Sequence, residues 1–214
     1  MTEKINRRDA ENTKTAQRFF ERERLGENTP AWEVTKRETV ADCRVFQVRR
    51  DTSVHALDKR AGEFYVLECP DWINVIPLTA NNEVVMIEQY RHGIERVTLE
   101  IPGGMVDAGE ESRDAALREL REETNYMVDD VINLGSTHPN PAIENNLIHI
   151  FLARDVRLSD GGKAHQHQDS TEHTTVRLVP LRDVGRLIRE GVITHALVVV
   201  AFHLFDLYER SKLV

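Results

Sequence analysis

The 214-residue sequence has only two cysteines, Cys43 and Cys69, and two tryptophans. Two cysteines are too few for a disulfide framework in a chain of this length, so a reducing cytoplasmic setting is expected. Basic charge is not in excess. Twenty-eight Lys and Arg stand against 36 Asp and Glu, a net charge of −8, which argues against a general nucleic-acid binder. A small phosphate-bearing substrate stays compatible, because a bound cation reverses the local field. No apolar run is long enough to cross a membrane. Residues 197–207 are apolar but short, and His203 and Asp206 interrupt them. No apolar stretch follows Met1, and Arg7-Arg8 runs straight into polar and acidic residues, so no export signal is expected. Internal repeats and low-complexity tracts are also missing.

Charged residues make up 30% and hydrophobic residues 40%, ordinary values for a globular chain with one sizeable core. Three regions are expected. Residues 1–31 form a charged extension, partly helical over 13–25. Residues 32–69 form a β-meander with short strands at 45–48 and 64–67, split by polar residues 49–62. Residues 70–214 hold the main domain. There, residues 71–78 and 83–89 flank the Asn81-Asn82 turn as a hairpin. Residues 131–134, 147–153 and 176–179 read as further strands, and the polar, Gly161-Gly162-containing stretch 159–171 as a loop. Helices are expected over 181–190, with Gly191 as C-cap, and over 194–211. Strands before and after a central helix, with helices following, indicate an α+β fold with a mixed sheet between helices.

The chain is organised around residues 104–126, GMVDAGEESRDAALRELREETNY. A Gly-Gly pair after Ile101-Pro102 ends a strand, and Ser112 is the expected N-cap of a helix. Ala115, Ala116 and Leu120 give that helix a narrow apolar stripe of mostly small side chains. Glu119, Glu122 and Glu123 share another face at i, i+3 and i+4, where like charges repel by a few tenths of a kcal/mol per pair. Either the face is simply solvated, as charge runs usually are, or something neutralises it. Arg118 and Arg121 supply part of that charge, and Mg2+ prefers such carboxylate oxygens. Glu110, on the preceding loop, offers a fourth carboxylate.

Gly104, five residues, Glu110, seven residues, then Arg118-Glu119-Leu120-x-Glu122-Glu123-x-Asn125-Tyr126 resembles the signature of the Nudix hydrolases. Asn125 stands where that family has Gly and Tyr126 where it usually has an aliphatic residue. Asn is the best non-glycine residue for a left-handed C-terminal position. The resemblance implies a Nudix-type α/β/α sandwich preceded by the β-meander. It also implies Mg2+, with Mn2+ as a substitute, held by Glu119, Glu122, Glu123 and the Gly103 carbonyl. Arg118 is expected to orient the glutamates.

Glu88-Gln89-Tyr90-Arg91 and Leu99-Glu100-Ile101-Pro102-Gly103-Gly104, with Pro141 beyond the signature, resemble the ADP-ribose and nucleotide-sugar pyrophosphatase branch. That likeness implies hydrolysis of a nucleoside diphosphate-linked substrate and a homodimer without nucleic-acid or membrane partners. Glu122, Glu123 and Glu172 become the candidate catalytic carboxylates. Glu172 is read either as general base or as an ordinary surface carboxylate. Arg91, Glu100 and Pro141 become candidate substrate contacts. Arg91 is read either as a phosphate fork or as a structural partner of Glu100 or a signature glutamate. Two alternatives stand beside this: a Nudix hydrolase of nucleoside triphosphates or dinucleoside polyphosphates, and a non-catalytic ADP-ribose-binding regulator.

Overall fold

Alternation in three strands sets the architecture. In Trp72–Leu78, Ile73 and Val75 point one way and Ile76 and Leu78 the other, and all four are buried. Glu83–Arg91 and Ile148–Arg154 show the same two-sided burial. A strand buried on both faces must lie between two layers. The computed structural model, which describes residues 29–159, 166–168 and 173–212, shows those layers.

In chain order the strands are β1 (Trp32–Asp42), β2 (Gln47–His55), β3 (Ala61–Glu68), β4 (Trp72–Leu78), β5 (Glu83–Arg91), β6 (Arg96–Glu100) and β7 (Gly103–Met105). Helix α1 (Ser112–Thr124) follows, then β8 (Tyr126–Met127), β9 (Ile132–Thr137), β10 (Ile148–Arg154), β11 (Arg157–Leu158), β12 (Gln166–Gln168) and β13 (His173–Pro180). Helices α2 (Leu181–Arg189) and α3 (Ala196–Ser211) close the described chain. Two compact units meet between Val66 and Leu67.

In the first unit β1, β2 and β3 form a three-stranded sheet. Of the polar residues expected to split its strands, 49–55 lie instead within β2, 56–60 do link β2 to β3, and 61–62 begin β3. Asp51 and Ser53 are buried at period two. Asp51 accepts from Arg49 Nε at 2.7 Å and Nη2 at 3.0 Å, and Arg50 pairs with Glu38 of β1 at 3.0 Å. Paired charges on a strand satisfy one another across the pleat, which a reading based on hydrophobicity does not register.

In the second unit the main sheet runs β12-β13-β5-β4-β10-β9, with β6 on β5 and β7 on β4. β10 pairs parallel with β4 and antiparallel with β9, so the sheet is mixed. One face carries Ile73, Val75, Val85, Phe151 and Ala153 against Ala115, Ala116 and Leu120 of α1. The other carries Ile76, Leu78, Val84, Met86, Ile150 and Leu152 against Val184 of α2 and Val198, Ala201, Phe202 and Phe205 of α3. The result is the α/β/α sandwich. The β4–β5 hairpin is paired at Leu78–Val84, after which β5 turns to β6 and β13.

Three cap positions differ from expectation. Glu111, not Ser112, is the N-cap of α1, in extended conformation with no side-chain cap bond; its carbonyl accepts from the Asp114 and Ala115 N–H groups. Glu190 caps α2, and Gly191 follows it. Helix α3 starts at Ala196, leaving His195 as its N-cap. Asn125 does close α1 in the left-handed region, φ 62° and ψ 12°, and its N–H donates to Arg121 O at 2.8 Å.

Candidate active site

Strand β4 positions the site. Its Ile73 and Asn74 pair with Gly104 and Gly103 of β7, which fixes where the Gly-Gly pair ends. Both glycines are required by close approach. A Cβ on Gly103 would lie 2.3 Å from Asn74 Oδ1 and 2.5 Å from the Ile73 carbonyl oxygen; one on Gly104 would lie 2.2 Å from Glu119 Oε1. The Gly103 N–H donates to Glu123 Oε2 at 2.9 Å, so the buried Glu123 ties α1 to the glycine turn.

Arg118 gathers the other signature carboxylates. Its Nε and Nη2 donate to the two oxygens of Glu110, both at 2.9 Å. Nη1 donates to Glu119 at 2.7 Å and to Glu122 at 3.2 Å, and Nη2 also reaches the Met105 carbonyl at 3.1 Å. These bonds hold the Glu110 carboxyl below its ordinary range and push the Arg118 guanidinium further up. Glu110 is thus Arg118's bidentate partner rather than a carboxylate standing apart. Among the described residues no three His, Cys, Asp or Glu side chains converge as a metal cage. The donor chemistry nonetheless fits a hard cation: Glu119 and Glu122 share one guanidinium, Glu119 lies against the bare Gly104 backbone, and all are oxygen donors.

A second carboxylate lies three residues before Gly103. Glu100 is 2% exposed. Its Oε1 accepts from Arg91 Nε at 2.8 Å and from the Thr98 hydroxyl; its Oε2 accepts from Arg91 Nη2 at 2.7 Å and His195 Nδ1 at 2.7 Å. Four bonds use the lone-pair sites of an ionised carboxylate. Burial alone would raise the Glu100 pKa, but the hydrogen bonds from Arg91 and His195, the Arg91 charge and Thr98 hold it far below the usual range.

Both clusters border one cleft of about 680 Å³, lined among others by Asn74, Gln89, Arg91, Glu100, Gly103, Gly104, Glu119 and His195. Of the sequence candidates, Gly103 and Glu119 line it, and Arg91 and Glu100 line it as a mutual pair. Glu122 and Glu123 adjoin Glu119 on the same helix. Pro141 lies exposed on the 140–144 turn and is not part of the cleft wall. Glu172 lies outside the described residues. His195 and Thr98 were missed by the sequence reading. Thr98 had a signal, since period two on β6 puts it on the face of Glu100. His195 was hidden because the last helix was expected to begin at 194, which makes it an interior helical residue.

A model of the NUDIX domain matches residues 71–201, and the chain belongs to the Nudix family. It is a Nudix hydrolase. The ADP-ribose pyrophosphatase of Bacillus subtilis (strain 168) is 27% identical over 153 residues, 72% of this chain and 81% of that protein. The methanol dehydrogenase activator of Bacillus methanolicus is 29% identical over 177 residues, 83% of this chain and 94% of that one. The crystal structure of an ADP compounds hydrolase superposes with a TM-score of 0.72 at 22% identity, over 86% of this chain and 95% of its own.

Proposed function

We propose that this Nudix hydrolase cleaves the diphosphate of ADP-ribose or a related nucleoside diphosphate sugar, giving a nucleoside monophosphate and a sugar phosphate. The observation that carries the reading is a cleft with a carboxylate-rich, cation-seeking end at Glu119 and a neutralised anchor at Glu100 and Arg91. Relatives named for ADP-ribose hydrolysis support the substrate class.

In this reading Glu119, Glu122, Glu123 and the Gly103 carbonyl hold Mg2+, with Mn2+ as a substitute. When bound, the cation neutralises charge on the diphosphate and lowers the pKa of a water. Glu123 keeps the glycine turn and α1 in register through its bond to Gly103. Arg118 keeps Glu119 and Glu122 from splaying apart. Arg91, fixed on Glu100, sets a guanidinium on the cleft wall where the substrate's negative charge enters. Glu172 is assigned as general base. Separately, Thr174 of β13 donates its hydroxyl to the Glu123 carbonyl at 3.2 Å and ties that strand to the end of α1. Pro141 has no direct contact in this scheme. The reading further includes a homodimer, checked by sedimentation, and a cytoplasmic setting, in line with the free thiols of Cys43 and Cys69. Among the described residues no helix is long and apolar enough to cross a membrane.

The test is a substrate panel with Mg2+, covering ADP-ribose, other nucleoside diphosphate sugars, dinucleoside polyphosphates and nucleoside triphosphates, with products separated by chromatography. Release of AMP and ribose 5-phosphate from ADP-ribose is expected. Turnover of triphosphates alone, with free pyrophosphate as product, would overturn the reading.

A further inference from the structure

The buried Glu100 explains itself only in part. Arg91 and Thr98 already give it three hydrogen bonds and a counter-charge. The fourth partner, His195, comes from the N-cap of α3, 95 residues away in sequence, and its side chain does not cap that helix. His195 lines the cleft and its side chain is one-third exposed, at 33%. Among the described residues its Nε2 has no protein partner, while its Nδ1 is committed to Glu100.

That commitment fixes the chemistry of the free nitrogen. An ionised carboxylate accepts only, so Nδ1 must carry the proton. In the neutral ring this leaves Nε2 as an acceptor, aligned by a rigid and buried partner. A phosphate oxygen also accepts, so it finds no donor at the Nε2 of the neutral ring. A sugar hydroxyl donates and does. The location agrees: Glu100 lies three residues from Gly103, so their Cα atoms are within about 11 Å, less than the span of a nucleoside diphosphate sugar lying along the cleft.

We propose that His195, oriented by Glu100, is a substrate-binding residue whose Nε2 accepts a hydrogen bond from a sugar hydroxyl of the substrate. The proposal rests on the nucleoside diphosphate sugar reading given above. Two hydroxyl-bearing units meet the description, the ribose of the nucleoside and the sugar beyond the diphosphate, and the experiment separates them.

The variants are His195→Asn, whose amide N–H replaces Nδ1 toward Glu100 but leaves no acceptor at Nε2, and His195→Gln, whose amide oxygen restores an acceptor at the longer reach. Steady-state constants for ADP-ribose are measured with inhibition constants for AMP, ribose 5-phosphate and pyrophosphate. For His195→Asn, KM rises about tenfold, as expected for one lost hydrogen bond to a bound substrate, and kcat stays within about twofold. The inhibition constant of one sugar-bearing product rises similarly and identifies the unit held, while that of pyrophosphate does not move. His195→Gln recovers most of the loss. An unchanged KM for His195→Asn, or a rise in all three inhibition constants together, overturns the histidine contact. So does a kcat loss that follows the melting temperature. Wild-type protein that releases no nucleoside monophosphate from any nucleoside diphosphate sugar overturns the functional reading itself, and the contact with it.

Discussion

Two carboxylate clusters border the same cleft and are built on opposite principles. At the α1 end, Glu110, Glu119 and Glu122 share a single guanidinium, that of Arg118. At the β6 end, the single carboxylate of Glu100 is met by a guanidinium, an imidazole and a hydroxyl. The first sets three carboxylates around one guanidinium and is partly open to solvent, so an added cation complements it. In the second, the buried Glu100 carboxylate already accepts four hydrogen bonds, while Arg91 and His195 stay partly exposed on the cleft wall, so that carboxylate gains nothing from one. A carboxylate near a cleft is therefore a ligand candidate when its donors are too few, and scaffolding when they are sufficient.

The largest expected effect comes from weakening the α1 cluster. Glu119→Gln should lower kcat by at least about 100-fold at saturating Mg2+. Its melting temperature should hold or rise slightly, because one like-charge repulsion on α1 disappears. Steady-state kinetics and thermal denaturation check both. A destabilised variant that kept its activity would make Glu119 a structural residue and erase the contrast.

Glu100→Gln should behave in the opposite way. Losing the charge weakens the four hydrogen bonds that the buried carboxylate accepts and should cost about 3 kcal/mol at neutral pH by denaturant titration. The pH dependence sharpens this. The folded-state pKa of Glu100 lies below the unfolded value of about 4.3. Between those two values the unfolded chain binds more protons, so stability rises with pH. The stabilisation is fully present above the unfolded pKa and is lost as pH falls toward the folded one. In Glu100→Gln that part of the acid-side slope should vanish, a difference readable in unfolding curves from pH 5 downward.

The two adjacent glycines test the contrast through backbone rather than charge. Gly103→Ala would meet the Ile73 carbonyl at 2.5 Å, which cannot move without shifting β4, so a loss of about 1–3 kcal/mol is expected. Gly104→Ala meets the end of a side chain rather than backbone, the Glu119 carboxylate. That variant should fold with nearly unchanged stability and lose about tenfold in activity as Glu119 is displaced. Equal destabilisation by both would mean that Glu119 is as fixed as Glu100.

Much of the α1 end was legible in the sequence, and little of the β6 end was. The spacing of Gly104, Glu110, Arg118, Glu119, Glu122 and Glu123 lies within one loop and one helix, where sequence separation converts directly into geometry. Asn125 was legible for the same reason, since a left-handed cap depends on local backbone preference. Glu100, Arg91 and His195 come from three elements joined by sheet pairing and helix docking. Of these, only Arg91–Glu100 was within reach of a strand-pairing argument. His195 depends on where α3 begins, and helix ends are the least determined part of a sequence reading. Ser112 shows the same limit: it was expected as the cap, yet Glu111 supplies that position with its backbone alone. The two-sided core strands were read from their apolar runs, whereas β2 was not, because its buried residues are polar and paired.

The smallest effect belongs to Glu110, and it separates the clusters most directly. Like Glu100, Glu110 has a bidentate arginine, and it also accepts the Asp107 N–H at 3.1 Å. Its pKa is likewise held low, first by the Arg118 hydrogen bonds. Its contribution therefore has the same sign: present above about pH 4.3 and lost as pH falls through its depressed folded value. It differs in setting, because Glu110 is on a loop and Arg118 has two other carboxylates to turn to. Glu110→Gln should cost less than about 1 kcal/mol, leave only a slight change in the acid-side slope, and lower kcat less than Glu119→Gln does. Parallel denaturant titrations of Glu100→Gln and Glu110→Gln at pH 4 and pH 7 measure the difference. Equal losses would show that bidentate pairing alone sets the energetics; a several-fold larger loss for Glu100 assigns the excess to burial and to the fourth bond from His195.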